Sequence, residues 1–100
     1  MIVDDMIDTG GTIVQAAHAL IANGASRIIV AATHAILSGP AVERLRDSPI
    51  SEVVVTDTLP LTEEHDFPQL TVLPIAPLLA RAIREVFDDG SVASLFDVTG

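Results

Sequence analysis

Arg27-Ile28-Ile29-Val30-Ala31-Ala32-Thr33 decides the fold. This apolar run shows no alternation, which suits a parallel β-strand covered on both faces. The segment before it, about Thr12 to Asn23, repeats Ile13, Ala16, Ala17, Leu20 and Ile21 at helical spacing. That spacing predicts an amphipathic helix, and Gly24 follows as its left-handed stop. Downstream, Gly39-Pro40 opens a short helix to about Asp47, with Val42 and Leu45 turned inward. Glu52-Val53-Val54-Val55-Thr56 reads as a second buried strand and Leu70-Thr71-Val72-Leu73 as a third. Thr62 to Asp66 forms a polar loop between them. Pro77 suits a first helical turn, and Leu78, Leu79, Ala82, Ile83, Val86 and Phe87 mark the inward face of a last helix. The alternation predicts an α/β fold of the βαβ type, an open parallel sheet with flanking helices.

Two features suggest a piece of a larger domain. Only Ile2 and Val3 precede the acidic pair Asp4-Asp5, whereas strands usually run about 5–6 residues. The opening strand therefore reads as cut short. A parallel sheet also needs helices on both faces, and only three of useful length are present. Residues 1–100 are accordingly expected to be a single domain truncated on its N-terminal side.

Composition narrows the function. The 100 residues carry 14 acidic and 5 basic side chains, a net charge of −9. An acidic chain of this kind lacks the basic stripe that nucleic acid requires. There are 0 cysteines, which removes disulfides, zinc–thiolate sites and thiol nucleophiles. All five basic residues are arginines, so this chain cannot supply the lysine of a Walker-type phosphate loop. No apolar run approaches the roughly 20 residues that span a bilayer, and the N-terminus lacks the basic opening of a signal peptide. A cytoplasmic location is expected, with neither nucleic acid nor membrane as partner.

The chemistry is concentrated in Val3-Asp4-Asp5-Met6-Ile7-Asp8-Thr9-Gly10-Gly11-Thr12, between a strand end and a helix start. Ligands of open α/β sheets bind at that carboxyl edge. Gly10 and Gly11 allow a tight turn and a close backbone approach. Free N–H groups of the turn and the first helical residues then converge on an anion, aided by the helix dipole. Thr9 and Thr12 add hydroxyls, and Thr12 doubles as a helix cap. Asp4 and Asp5 can accept hydrogen bonds from vicinal hydroxyls or hold a hydrated Mg²⁺. An isolated acid pair more often belongs to a solvated strand end. Three acids in five positions with no adjacent base, however, gain nothing structurally and are relieved by a polyol or a metal. The segment reads as a sugar-phosphate clamp.

That decapeptide, VDDMIDTGGT, resembles the ribose 5-phosphate loop of the ribose-phosphate pyrophosphokinases, the phosphoribosyl pyrophosphate (PRPP) synthetases. Further blocks resemble the family in family order: Ala32 to Ala41 (ATHAILSGPA), Glu52 to Leu61 (EVVVTDTLPL), Ala76 to Phe87 (APLLARAIREVF) and Gly90 to Phe96 (GSVASLF). The resemblance implies the C-terminal portion of such an enzyme, with a type I phosphoribosyltransferase-like fold. The family transfers the β,γ-diphosphoryl group of ATP to the C1 hydroxyl of ribose 5-phosphate, giving PRPP and AMP, with Mg²⁺ required. It forms hexamers. By position, Asp8, Thr9, Gly10, Gly11 and Thr12 would grip the 5-phosphate. Asp4 would contact the ribose hydroxyls with Asp5 beside it. Ser91 and Phe96 would belong to a regulatory phosphate or nucleotide site, although Ala93 stands where the family usually has a second serine. The family's ATP loops, metal-binding histidine region and lysine–arginine loop have no counterpart here, so no catalytic residue is assigned, and the chain alone is expected to bind ribose 5-phosphate weakly if at all and not to turn over. ATP and Mg²⁺ would be held mainly by those missing parts. Two alternatives remain: a non-catalytic binding or regulatory module that kept the loop, and a phosphoribosyltransferase.

Other residues have ordinary explanations. His34 reads as a structural histidine, and no nucleophile elbow supports a His34–Ser38–Asp57 triad. Glu63, Glu64, His65 and Asp66 read as a solvated acidic loop. Arg81 and Arg84 are expected to pair locally with Glu85 or Asp88.

Overall fold

A computed structural model describes residues 1–88 of the chain. Four parallel strands, β1 (Ile2–Ile7), β2 (Ile29–Ala35), β3 (Glu52–Thr56) and β4 (Leu70–Leu73), lie side by side in sequence order. Helix α1 (Gly11–Ala22) connects β1 to β2, and α2 (Ala41–Arg46) connects β2 to β3. A 3₁₀ turn at Glu63–His65 lies before β4, and α3 (Ala76–Phe87) follows it. The α/β class and the parallel sheet match the sequence expectation.

The register explains where the core sits. Val30 pairs with Val53 and Ala32 with Val55, so these four side chains share one face. All four are buried, together with Ile13 and Ala17 of α1, Ala41 and Leu45 of α2, and Phe67. Right-handed crossovers between strands in sequential order place the connecting segments on one side of the sheet. This is that side.

Among the described residues nothing covers the opposite face, contrary to the expectation of strands buried twice. Ala31 and Val54 are only half-buried there, Val3 is 74% exposed and Leu73 51%. Helix α3 does not cover it. Its expected inward residues are open to solvent, with Ile83 57% and Phe87 82% exposed. The physical reason is topological: α3 leaves the edge strand β4, and no later strand among the described residues draws it back across the sheet.

The opening strand is longer than its two apolar residues suggested. It runs six residues, through both aspartates, because β2 also extends past Thr33 to pair with it as far as Ile7↔Ala35. An edge strand tolerates such polar side chains. The Arg81 and Arg84 expectation fails as well. The ion pairs among the described residues are Arg27–Glu52 at 3.9 Å and Arg46–Asp47 at 3.6 Å, and neither involves α3.

Candidate functional site

The chain leaves β1 at Ile7, bends through Asp8 and Thr9, and enters α1 through Gly10. Gly10 has φ +78° and ψ −5°, a left-handed conformation that costs an L-residue about 1–2 kcal/mol. A Cβ there would lie 3.6 Å from Leu45 Cγ and 3.7 Å from Ala41 Cα, ordinary contact distances. Backbone conformation, rather than crowding, therefore requires the glycine. Thr12 does not cap the helix, as the sequence had suggested. Gly10 occupies the cap position, and no side chain bonds to the first turn. The N–H groups of Gly11, Thr12 and Ile13 consequently lack intrahelical acceptors and remain available to a ligand.

Strand alternation sorts the acids. Asp4 pairs with Ala32 and Met6 with His34, so both project to the helix side of the sheet. Asp5 projects to the opposite side. A shallow cavity of about 210 Å³ is lined by Asp4, Met6, Asp8, Thr9, Gly10, Gly11, Thr12 and Ile13. The fold thus brings together six of the seven residues expected to hold the sugar phosphate and leaves out Asp5. The volume lies below the range of about 300–1,000 Å³ typical of drug-sized ligands, as suits a small polar metabolite.

The loop after β2 clamps the turn from behind. The N–H groups of Ile36 and Leu37 both donate to the Ile7 carbonyl at 3.0 Å, and that of Ser38 to the Asp8 carbonyl at 2.9 Å. The Ser38 hydroxyl also donates to the Asp8 carboxylate. On α2, Arg44 Nη1 donates to the Thr9 carbonyl at 3.2 Å. Sequence reading overlooked Ser38 and Arg44 as supports of the turn. The sequence reading turned Val42 and Leu45 inward, whereas the structure buries Ala41 and Leu45, which places Arg44 at the edge of that face.

The remaining candidates resolve into local contacts. His34 Nδ1 shares a 2.8 Å hydrogen bond with Thr58 Oγ1, while Asp57 accepts the Ile75 N–H at 2.8 Å. With Ser38 engaged by Asp8, no triad forms. His65 accepts the Thr62 N–H at 3.1 Å and closes its own turn. Among the described residues, no three histidine or carboxylate side chains converge on a metal position. A dedicated protein cage for Mg²⁺ does not fit this surface, since Asp4 and Asp5 face opposite ways. Ser91 and Phe96 lie outside the described residues. No described helix is long and apolar enough to cross a membrane.

Comparison with known proteins adds the family. The model of the phosphoribosyl synthetase-associated domain matches residues 1–97, which include the whole glycine turn. The chain belongs to the phosphoribosyl synthetase family. It is 62% identical over 97 residues to a ribose-phosphate pyrophosphokinase of Streptomyces coelicolor, covering 97% of this chain and 30% of that relative. The Mycobacterium leprae protein of the same name is 59% identical over 97 residues, with the same coverage. The crystal structure of phosphoribosylpyrophosphate synthetase from Mycobacterium smegmatis superposes with a TM-score of 0.80 at 59% identity, over 88% of this chain and 30% of that one. This phosphoribosyl synthetase chain thus spans about 30% of the length of its relatives. That share is what the matches establish, and the expected C-terminal placement is not carried by them.

Proposed function

We propose that this chain forms the ribose 5-phosphate-holding part of a ribose-phosphate pyrophosphokinase. One observation carries the reading. A left-handed Gly10 opens α1 without a side-chain cap, and the free amides of the first turn share a small cavity with the Asp4 carboxylate. The amides and the positive end of the helix dipole suit the dianionic 5-phosphate. Asp4 suits the hydroxyls of a pentose, because an ionised carboxylate only accepts hydrogen bonds. A sugar phosphate supplies both chemistries across one short molecule. The 62% identity to a protein named ribose-phosphate pyrophosphokinase supports the same assignment.

In the proposed reaction, the C1 oxygen of the pentose attacks the β-phosphorus of ATP. The bond from that phosphorus to the oxygen bridging to the α-phosphate breaks, releasing AMP. The residues of this chain fix the 5-phosphate and the ring, leaving C1 as the free end. Such positioning is the main protein contribution to transfer reactions of this kind. ATP and its accompanying Mg²⁺ would be held mainly by the remaining length of the protein.

The test is a chimera in which residues 1–97 replace the matching segment of the full-length Streptomyces coelicolor relative. Formation of PRPP and AMP from ribose 5-phosphate and ATP is expected. A folded chimera that binds ATP but neither binds ribose 5-phosphate nor forms PRPP would overturn the proposal. Binding of ribose 5-phosphate without turnover would favour the non-catalytic module.

A further inference from the structure

Every acid near the turn raises an electrostatic problem. Asp4 and Asp8 line the cavity, and a sugar phosphate would add two more negative charges. Arg44 is the arginine in contact with the turn, and it forms no ion pair among the described residues. Among the described residues its charge is therefore not compensated by a carboxylate and stands beside the turn. Its one hydrogen bond among the described residues goes to the backbone, to the Thr9 carbonyl at 3.2 Å. Nη1 also lies 3.2 Å from the point where a Cβ on Gly11 would stand, so the guanidinium packs closely against the turn and would have to give by a few tenths of an ångström if residue 11 carried a side chain.

The Thr9 carbonyl belongs to the same peptide unit as the Gly10 N–H. In a trans peptide the two point in opposite directions, and every peptide bond described here is trans. Arg44 holds the oxygen on the α2 side and thereby turns the Gly10 N–H away from α2. A glycine pair next to this peptide leaves few steric barriers against flipping it. Donation by a cation to one end also polarises the unit and strengthens its N–H as a donor.

We propose that Arg44 is a positioning residue for anion binding. It fixes the Thr9–Gly10 peptide so that its N–H faces the ligand, and its charge offsets the acids around the phosphate. The inference rests on the sugar-phosphate reading of the turn but goes beyond it. Arg44 does not line that cavity; it lines an adjoining one with Thr9, Gly11, Thr12, Val14 and Gln15, and reaches the turn at the Thr9 carbonyl.

The experiment is titration of the full chain with ribose 5-phosphate, followed by amide NMR at pH 5.5 and pH 7.5. The second phosphate ionisation falls near pH 6, so the dianion fraction rises about fourfold across this interval. Binding to the parent chain should tighten by about that factor. Arg44→Gln should weaken binding at pH 7.5 by about tenfold, shrink the pH effect to under twofold, and shift the Gly10 amide resonance in the unliganded chain. Arg44→Lys should recover the pH effect while leaving affinity reduced. A guanidinium that merely stabilised α2 would alter the melting temperature without changing the pH effect. Affinity within twofold of the parent in Arg44→Gln would overturn the proposal. Gly11→Val separates the two ideas: if it binds as well as the parent, the turn is not the phosphate site and both readings fail. If it abolishes binding while Arg44→Gln is neutral, only the role of Arg44 fails.

Discussion

Ser38 reaches across the chain to Asp8, donating its hydroxyl to the carboxylate and its N–H to the carbonyl at 2.9 Å. Two bonds from one residue fix both the side chain and the backbone of the first loop position after β1. Ser38→Ala removes only the hydroxyl contact, which is solvent-exposed and worth about 1 kcal/mol. The expected outcome is a small drop in unfolding free energy and a several-fold weaker affinity for ribose 5-phosphate, read by denaturant titration and by NMR. Unchanged affinity would detach the clamp from the site.

Gly10 tests the conformation of the turn. Gly10→Ala meets only ordinary contacts at Leu45 and Ala41, so its cost comes from the left-handed backbone. A loss of about 1–2 kcal/mol in unfolding free energy is expected. A neutral substitution would show that the turn adopts another conformation in solution.

The two aspartates of β1 should behave differently. Asp4→Ala removes a carboxylate that lines the cavity and should weaken ribose 5-phosphate binding by about 1–3 kcal/mol. Asp5→Ala, on the other side of the sheet, should change binding by less than about 0.5 kcal/mol. Equal effects would contradict the alternation of the strand.

Leu45 and Leu79 make a matched pair for stability. Leu45 is 0% exposed beneath the turn, and Leu45→Ala should cost about 2–5 kcal/mol in unfolding free energy. Leu79 is 55% exposed on α3, and Leu79→Ala should stay within about 0.5 kcal/mol. A large effect at Leu79 would mean that α3 packs against the sheet after all.

Much of this architecture was legible in the residues. The runs around Val30 and Val54 announced parallel strands, and Thr-Gly-Gly-Thr announced the turn. The division between Asp4 and Asp5 was not legible, because it depends on β1 continuing past Val3. That extension is set by pairing with β2, a contact 28 residues away in sequence at Asp4↔Ala32. Arg44 was hidden for a similar reason, being brought to Thr9 by the packing of α2 rather than by any local motif. The apolar stripe of α3 was read correctly as a stripe and wrongly as buried. Periodicity reports which side is greasy, and says nothing of whether a second layer is there to meet it.

On the proposed reading, the anion is held by main-chain donors of this turn, and that shapes how the pocket can fail. A point substitution can erase a hydroxyl or a carboxylate outright, but it cannot erase an amide, save by introducing proline. Loss of recognition must therefore proceed by misaiming, through neighbours that hold the peptide planes at their present angles. Variants damaged in this way should be repairable by second-site changes in α2 or the β2–α2 loop, without restoring the original residue.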